Sequence, residues 1–201
     1  MGSIFTFILL IVFIVLRLMI VKDKIKLEPD RKKIRIKDMD FLIKLFITLF
    51  VVITFIAIGY YIPSSSMFPT FKKGDRIVVC KFVYKFYKPA RQDIVVFKIP
   101  NQKYEGKDFV KRIVAVGGDT VEITNGRLYI NDIPQYEGDY TLETIGYYYP
   151  KTEVPEKSLF ILGDNRNNSA DSHIWGVLPE DKVIGKVFMI YYPFNRIRTF
   201  N

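Results

Sequence analysis

Two long apolar runs open the chain, and a pattern of short β-type segments follows them. Ser3 to Val21 is almost wholly apolar with Arg17 as its single charge, and Phe41 to Ile62 is interrupted by charge only at Lys44. About twenty residues at a 1.5 Å rise cover the hydrocarbon core of a bilayer, so each run predicts a transmembrane α-helix, over 1–21 and 41–62. A cleaved signal peptide would carry basic residues ahead of its apolar stretch and small residues behind it. Met1 to Leu16 has no basic residue and Leu18 to Val21 is bulky, which predicts a retained span.

The segment between the runs, 22–40, carries Lys22, Lys24, Lys26, Arg31, Lys32, Lys33, Arg35 and Lys37. Basic loops stay on the cytoplasmic side, so both spans lead outward from this loop and everything after Pro63 is expected on the outer face. Lys44 lies near the cytoplasmic end of the second run, where a lysine snorkels to the headgroups. The expected location is therefore the plasma membrane, multi-pass, with the lipid bilayer as a partner.

After Ile62 the pattern changes. Arg76–Val83, Asp93–Lys98, Phe109–Val116 and Thr120–Ile123 are rich in Val, Ile and Phe and are separated by turn formers, which predicts strands. Asn125-Gly126 between Val121-Glu122-Ile123 and Leu128-Tyr129-Ile130 predicts a type I′ hairpin, because both central residues must accept positive φ. Helical periodicity is missing, so 63–201 is expected to be a mainly β domain of antiparallel sheets.

Composition changes this picture little. At 201 residues the chain has room for one domain with a core besides its apolar runs. Of the net charge of +9, the part through Ile62 holds +5, with ten Lys/Arg against five Asp/Glu. The remainder is mildly basic, and a nucleic-acid partner is not expected. A single cysteine, Cys80, excludes an internal disulfide and reads as a small core residue. With one histidine, His173, and no HExxH or CxxC spacing, no metal site is expected.

Candidate chemistry begins where the second run ends. Ile62-Pro63-Ser64-Ser65-Ser66-Met67-Phe68-Pro69-Thr70 places three hydroxyls between two prolines, which stiffen the segment. It is either a serine-rich hinge or a nucleophile held at the membrane surface. A serine nucleophile needs a base. His173 sits among turn formers and reads as structural, which leaves lysine. Only about one lysine in 10³ is neutral at pH 7, and lowering its pKa by about 3 units means destabilising the ammonium by about 4 kcal/mol through burial. Lys111 meets that demand, being set inside Asp108-Phe109-Val110-Lys111-Arg112-Ile113-Val114-Ala115-Val116. The alternative is that it snorkels from an edge strand. A third stretch, Gly163-Asp164-Asn165-Arg166-Asn167-Asn168-Ser169-Ala170-Asp171-Ser172, packs amides, carboxylates and hydroxyls into one loop.

Together and in this order, these stretches, with Asp93-Ile94-Val95-Val96-Phe97-Lys98 and Gly117-Gly118-Asp119 between them, resemble the type I signal peptidase family of membrane-bound Ser-Lys endopeptidases. The resemblance runs from about Tyr60 to the C-terminus. It implies a signal-peptidase-like antiparallel β core that cleaves signal peptides from exported preproteins and needs no cofactor. Position by position it implies Ser66 as nucleophile, Lys111 as general base, and an oxyanion hole made by the Ser64 hydroxyl and the Ser66 N–H. It also implies that Ser169 orients the lysine amine, that Asp171 holds the loop headed by Gly163, and that Ile62 and Val110 line small substrate pockets. The accessory β insertion of larger members is confined here to about 119–157. His173 stands where the family usually has Arg, Asn167 where an acid is frequent, and Gln92 where Gly is common.

Ser66 lies four residues beyond Ile62, so a span ending there would keep it within roughly 14 Å of the bilayer. A substrate cut at that height should itself be anchored, as a signal peptide is. The competing expectation is a membrane-anchored, non-enzymatic β domain that binds an extracytoplasmic partner through Lys81-Phe82-Val83-Tyr84-Lys85-Phe86-Tyr87-Lys88, itself read as an amphipathic strand. A penicillin-binding type enzyme would need Ser-x-x-Lys, which is absent.

Overall fold

A computed structural model describes residues 36–48, 57–99 and 106–200, together with 14, 17, 18 and 21. The chain divides into two units, Met1–Ile56 and Ala57–Asn201. In the first, 36–48 is helical and Arg17 pairs with Asp40. Most of the first expected span and of the basic loop lies outside the described residues. Among the described residues no helix is long and apolar enough to cross a membrane.

The second expected span is corrected at its end. Residues 41–48 are helical, 49–56 lie outside the described residues, and Ala57–Tyr61 is a β-strand rather than the last turns of a helix. All five of its residues pair antiparallel with Arg76–Cys80. Ile62 N–H then donates to the Asp75 carbonyl at 2.9 Å and Gly74 N–H returns to the Ile62 carbonyl at 2.9 Å. An apolar run without alternation suits a helix or a strand equally, and here the partner strand decides. The 14 Å bound on Ser66 assumed a span reaching Ile62 and falls with it.

The second unit contains β1 (Ala57–Tyr61), β2 (Arg76–Cys80), β3 (Ile94–Lys98), β4 (Asp108–Val116), β5 (Thr120–Thr124), β6 (Arg127–Ile130), β7 (Ile133–Pro134), β8 (Tyr149–Glu153), β9 (Ser158–Leu162), β10 (Leu178–Pro179), β11 (Val183–Tyr192) and β12 (Arg198–Thr199). A large antiparallel sheet runs β1-β2-β11-β3-β4-β9-β10, with β12 on β11, and a smaller sheet runs β7-β6-β5-β8. The β5–β6 turn has φ of 49° at Asn125 and 75° at Gly126, the geometry that Asn-Gly supplies without strain.

Strand β3 explains where the core sits. Ile94 to Phe97 are buried without a break, because successive side chains enter different clusters on opposite faces. Val96 joins Ile62, Met67, Phe71 and Ile77, whereas Val95 and Phe97 join Ile113, Leu159, Ile161 and Leu178. The large sheet is thus covered on both sides, and β4 runs beside β3 with Lys111 opposite Val95.

Two local expectations change. The aromatic-basic stretch 81–88 is no strand: Val83–Phe86 forms one helical turn, held by Tyr84 Oη donating to Asp93 at 2.9 Å. Cys80 is half-buried rather than a core residue.

Candidate active site

The Ser-rich segment is not a loose hinge. Met67 and Phe71 are 2% and 0% exposed and plug it into the core beneath β2 and β3. Phe68 N–H closes a turn onto the Ser65 carbonyl at 3.0 Å. From the other side Asn165 clamps it, its N–H donating to the Ser66 carbonyl at 3.1 Å and its Nδ2 to the Ser65 carbonyl at 3.1 Å. The Ser66 hydroxyl is therefore presented from a backbone fixed on both flanks.

Strand β4 brings Lys111 to it. Lys111 is 3% exposed, and its Nζ lies 2.6 Å from Ser66 Oγ. Among the described residues Lys111 makes no ion pair. Burial pushes its pKa down from 10.5 to about 8, against the opposing pull of the Asp171 and Asp164 carboxylates. A shift of that size makes the neutral amine about 300-fold more abundant at pH 7 than in an ordinary lysine.

The neighbouring Arg112 shows how the same strand buries a second cation differently. It is 8% exposed but bidentate to Asp164, with Nε–Oδ1 and Nη2–Oδ2 both 2.8 Å, and Asp164 also accepts from Thr70 Oγ1. A guanidinium matches a carboxylate in a planar fork, whereas a buried amine lacking such a partner gives up its proton more readily. The two adjacent bases are thereby sorted, one for structure and one free for chemistry.

The loop after β9 supports both. Asp171 is fully buried and accepts from Gly163 N–H at 2.8 Å through Oδ2. Its Oδ1 accepts from His173 N–H at 3.3 Å and lies 2.6 Å from His173 Nδ1, so the imidazole occupies the place of the arginine expected by resemblance. His173 is also stacked on Tyr147 with ring centroids 4.0 Å apart. Ser169 departs from expectation. Its hydroxyl is buried without a hydrogen-bond partner and does not bond Lys111. It turns instead towards Gly163, where a Cβ would come within 2.2 Å of Ser169 Oγ and 2.4 Å of the Ser66 carbonyl. Only a residue without a side chain lets the two segments approach so closely.

A cleft of about 360 Å³ leads to this pair, with Tyr60, Ile62, Ser64, Ser66, Val110 and Lys111 among its walls. Ser64 Oγ sits 3.3 Å from Ser66 Oγ, on the cleft side. At the far end Tyr60 Oη donates to Asp108 Oδ2 at 2.9 Å, linking β1 to β4 across the cleft. The start of β4 pairs with β3, and β9 joins it from Arg112 onward. Asp108 to Lys111 thus run along β3, and Lys107 to Lys111 line the cleft.

Several of these residues escaped sequence reasoning. The need for an acid such as Asp164 was detectable, because two cations in an apolar strand demand one, but its assignment to Arg112 was not. Asn165 as the clamp on Ser65 and Ser66 carries no such signal. Neither does the buried pair of Arg166 with Glu137 at 2.6 Å, which ties the loop between β7 and β8 to the Gly163 loop. Burial raises the Glu137 pKa while Arg166 opposes the shift.

Residues 35–192 match the family described as signal peptidase, peptidase S26. A probable signal peptidase I-1 of Synechocystis sp. is 45% identical over 147 residues, covering 71% of this chain and 74% of its own length. Signal peptidase I of Leptolyngbya laminosa is 41% identical over 150 residues, covering 72% and 73% respectively. Signal peptidase IB of Staphylococcus aureus is 35% identical over 170 residues, covering 76% and 87%.

Proposed function

Because the chain belongs to the signal peptidase, peptidase S26, family, we propose that it is a membrane-bound serine endopeptidase that removes signal peptides from exported preproteins, with Ser66 as nucleophile and Lys111 as general base. The observation that carries the reading is the 2.6 Å contact between Ser66 Oγ and a lysine amine whose pKa burial lowers to about 8. Ser66 Oγ attacks the carbonyl before the scissile bond and gives its proton to Lys111 Nζ. The Ser64 hydroxyl and the Ser66 N–H hold the developing oxyanion. Collapse of the tetrahedral adduct breaks the C–N bond, and the Lys111 ammonium returns the proton to the leaving amine. A water deprotonated by the same amine then hydrolyses the acyl-enzyme, restoring Ser66.

The substrate half before the scissile bond lies in the cleft walled by Ile62, Ser64 and Val110, which leads to Ser66 and Lys111. Ile62 and Val110 narrow the cleft beside Ser66 and favour short side chains there. Asp171 and Gly163 hold the loop that backs Ser66. The apolar runs 3–21 and 41–56, flanking a basic loop, support a membrane anchor with the catalytic unit on the outer face of the plasma membrane. Incubating detergent-solubilised protein with a preprotein tests the reading: a shortened product bearing the mature N-terminus is expected, and an uncut preprotein overturns it.

The pH profile supplies a second test. The base acts only when neutral, so kcat/KM is expected to rise about tenfold per pH unit at low pH, bend near 8 and level off above it. A profile flat between pH 6 and 9 would remove Lys111 from its role. The rival reading of a non-enzymatic binder gains nothing from its intended contact surface, which is a single helical turn with Tyr84 tied down to Asp93.

A further inference from the structure

Two concavities flank the nucleophile segment, and the proposed reaction uses only one. The larger cleft ends at Ser66 and Met67. The second, about 70 Å³, begins one residue further on at Phe68 and is bounded by Leu142, Glu143, Asp164, Asn165 and Arg166. The clamped turn from Ser65 to Phe68 separates them. If the half of the substrate before the scissile bond fills the cleft, the half after it must leave over this turn. Two residues of extended chain span about 7 Å, and the concavity opens at Phe68, two positions past Ser66, so the second or third residue beyond the cut is the one suited to meet it.

The charges around that concavity are unequally committed. Asp164 is bidentate to Arg112, and Arg166, its side chain 1% exposed, is paired with Glu137. Glu143 is exposed and forms no ion pair among the described residues. Its Oε2 accepts from Asn167 Nδ2 at 3.2 Å, which keeps the carboxylate at the rim. Phe68 and Leu142 beside it are exposed apolar side chains, Leu142 to 67%. The rim therefore offers one unneutralised negative charge between two apolar surfaces.

From this arrangement we propose that the Phe68–Leu142–Glu143 concavity is a subsite for the mature segment of the substrate. It favours a basic residue over an acidic one at the second or third position after the scissile bond, with Glu143 as the specificity-determining residue. This rests on the peptidase reading above. Lys and Arg also suit the apolar flanks, because their alkyl stems lie along such surfaces while the charged head reaches the carboxylate.

The test uses peptides identical up to and including the scissile bond, with Lys, Gln or Glu at the second or third position beyond it. The wild-type chain is expected to process the Lys peptide about two- to fivefold faster in kcat/KM than the Glu peptide at low salt, the effect of one exposed charge pair. The difference should shrink at high salt. Glu143→Gln should level the series and Glu143→Lys should reverse it. Asn167 retains its bonds to Gly146 N–H at 2.7 Å and the Thr144 carbonyl at 3.0 Å, so neither substitution releases the loop. An ester substrate with no residues beyond the cut should be turned over equally by all three proteins. The same Lys-to-Glu order in wild type and Glu143→Lys overturns the subsite alone, whereas failure to cut any peptide overturns the peptidase reading and this inference with it.

Discussion

Lys111→Met is expected to abolish preprotein cleavage while making the protein more stable. The loss follows from the base: general acid–base groups contribute typically about 10² to 10⁴ in rate, and Ser66 Oγ is left with no amine in reach. The gain follows from linkage. A lysine whose pKa is about 8 folded and 10.5 unfolded binds fewer protons in the native state between those values, so its penalty is fully present below pH 8 and fades as pH rises towards 10.5. At pH 7 that penalty is about 3 kcal/mol, an upper value because methionine also forfeits the contact with Ser66. Methionine fills nearly the same space without a charge to desolvate, so thermal unfolding at pH 7 should move up by several degrees. The increment over wild type should vanish at pH above 10.5. Ser66→Ala should be at least as inactive and show no comparable stabilisation, because a hydroxyl carries no charge penalty. His173→Ala should retain most of the activity, since Asp171 still holds Gly163 N–H. An active Lys111→Met protein, or one destabilised at pH 7, would remove the unpaired buried amine from the centre of the mechanism.

The same physical demand that makes this variant stable is what made the site legible. A neutral amine requires an apolar strand around a lysine, and Lys111 within Phe109 to Val116 satisfies it in the sequence itself. What the strand cannot announce is which of two adjacent cations is paired. That depends on Asp164, fifty-two residues away along the chain, reaching Arg112 rather than Lys111. The β character of the second unit was similarly visible, because alternation and turn residues are local properties. Ala57–Tyr61 was not, since an apolar stretch lacks the polar positions that distinguish a helical face from a pleated one. Lys81 to Lys88 misled for the opposite reason. Its alternating aromatics and lysines suit a strand, yet Lys85 lies over the Phe82 ring at 4.5 Å and Tyr84 is drawn onto Asp93 across a helical turn. Ser169 shows a further limit: resemblance assigns it to Lys111, but its side chain is set by the gap that Gly163 leaves.

Gly163→Ala should therefore damage the enzyme from a position that touches no substrate. Its new Cβ would stand 2.2 Å from Ser169 Oγ, 2.6 Å from Ser169 Cβ and 2.4 Å from the Ser66 carbonyl oxygen. A serine side chain yields by rotating, but the Ser66 carbonyl is main chain, clamped by Asn165 N–H and continuous with the nucleophile. Relief of the clash must displace either Ser66 or the loop that Asp171 holds through Gly163 N–H. A displacement near 1 Å at the reacting hydroxyl costs about 10²-fold in rate, and overpacking of this kind costs about 1–3 kcal/mol in stability. The two effects separate in the double variant Gly163→Ala with Ser169→Ala. Removing the hydroxyl relieves one clash and a buried polar atom without a partner, so stability should partly recover. The carbonyl clash persists, so kcat/KM should stay low while KM for the preprotein changes little. Full activity in the single variant would mean that Ser66 is not held by the Gly163 loop, and recovery of activity in the double variant would place the damage at Ser169 instead of at the backbone of the nucleophile.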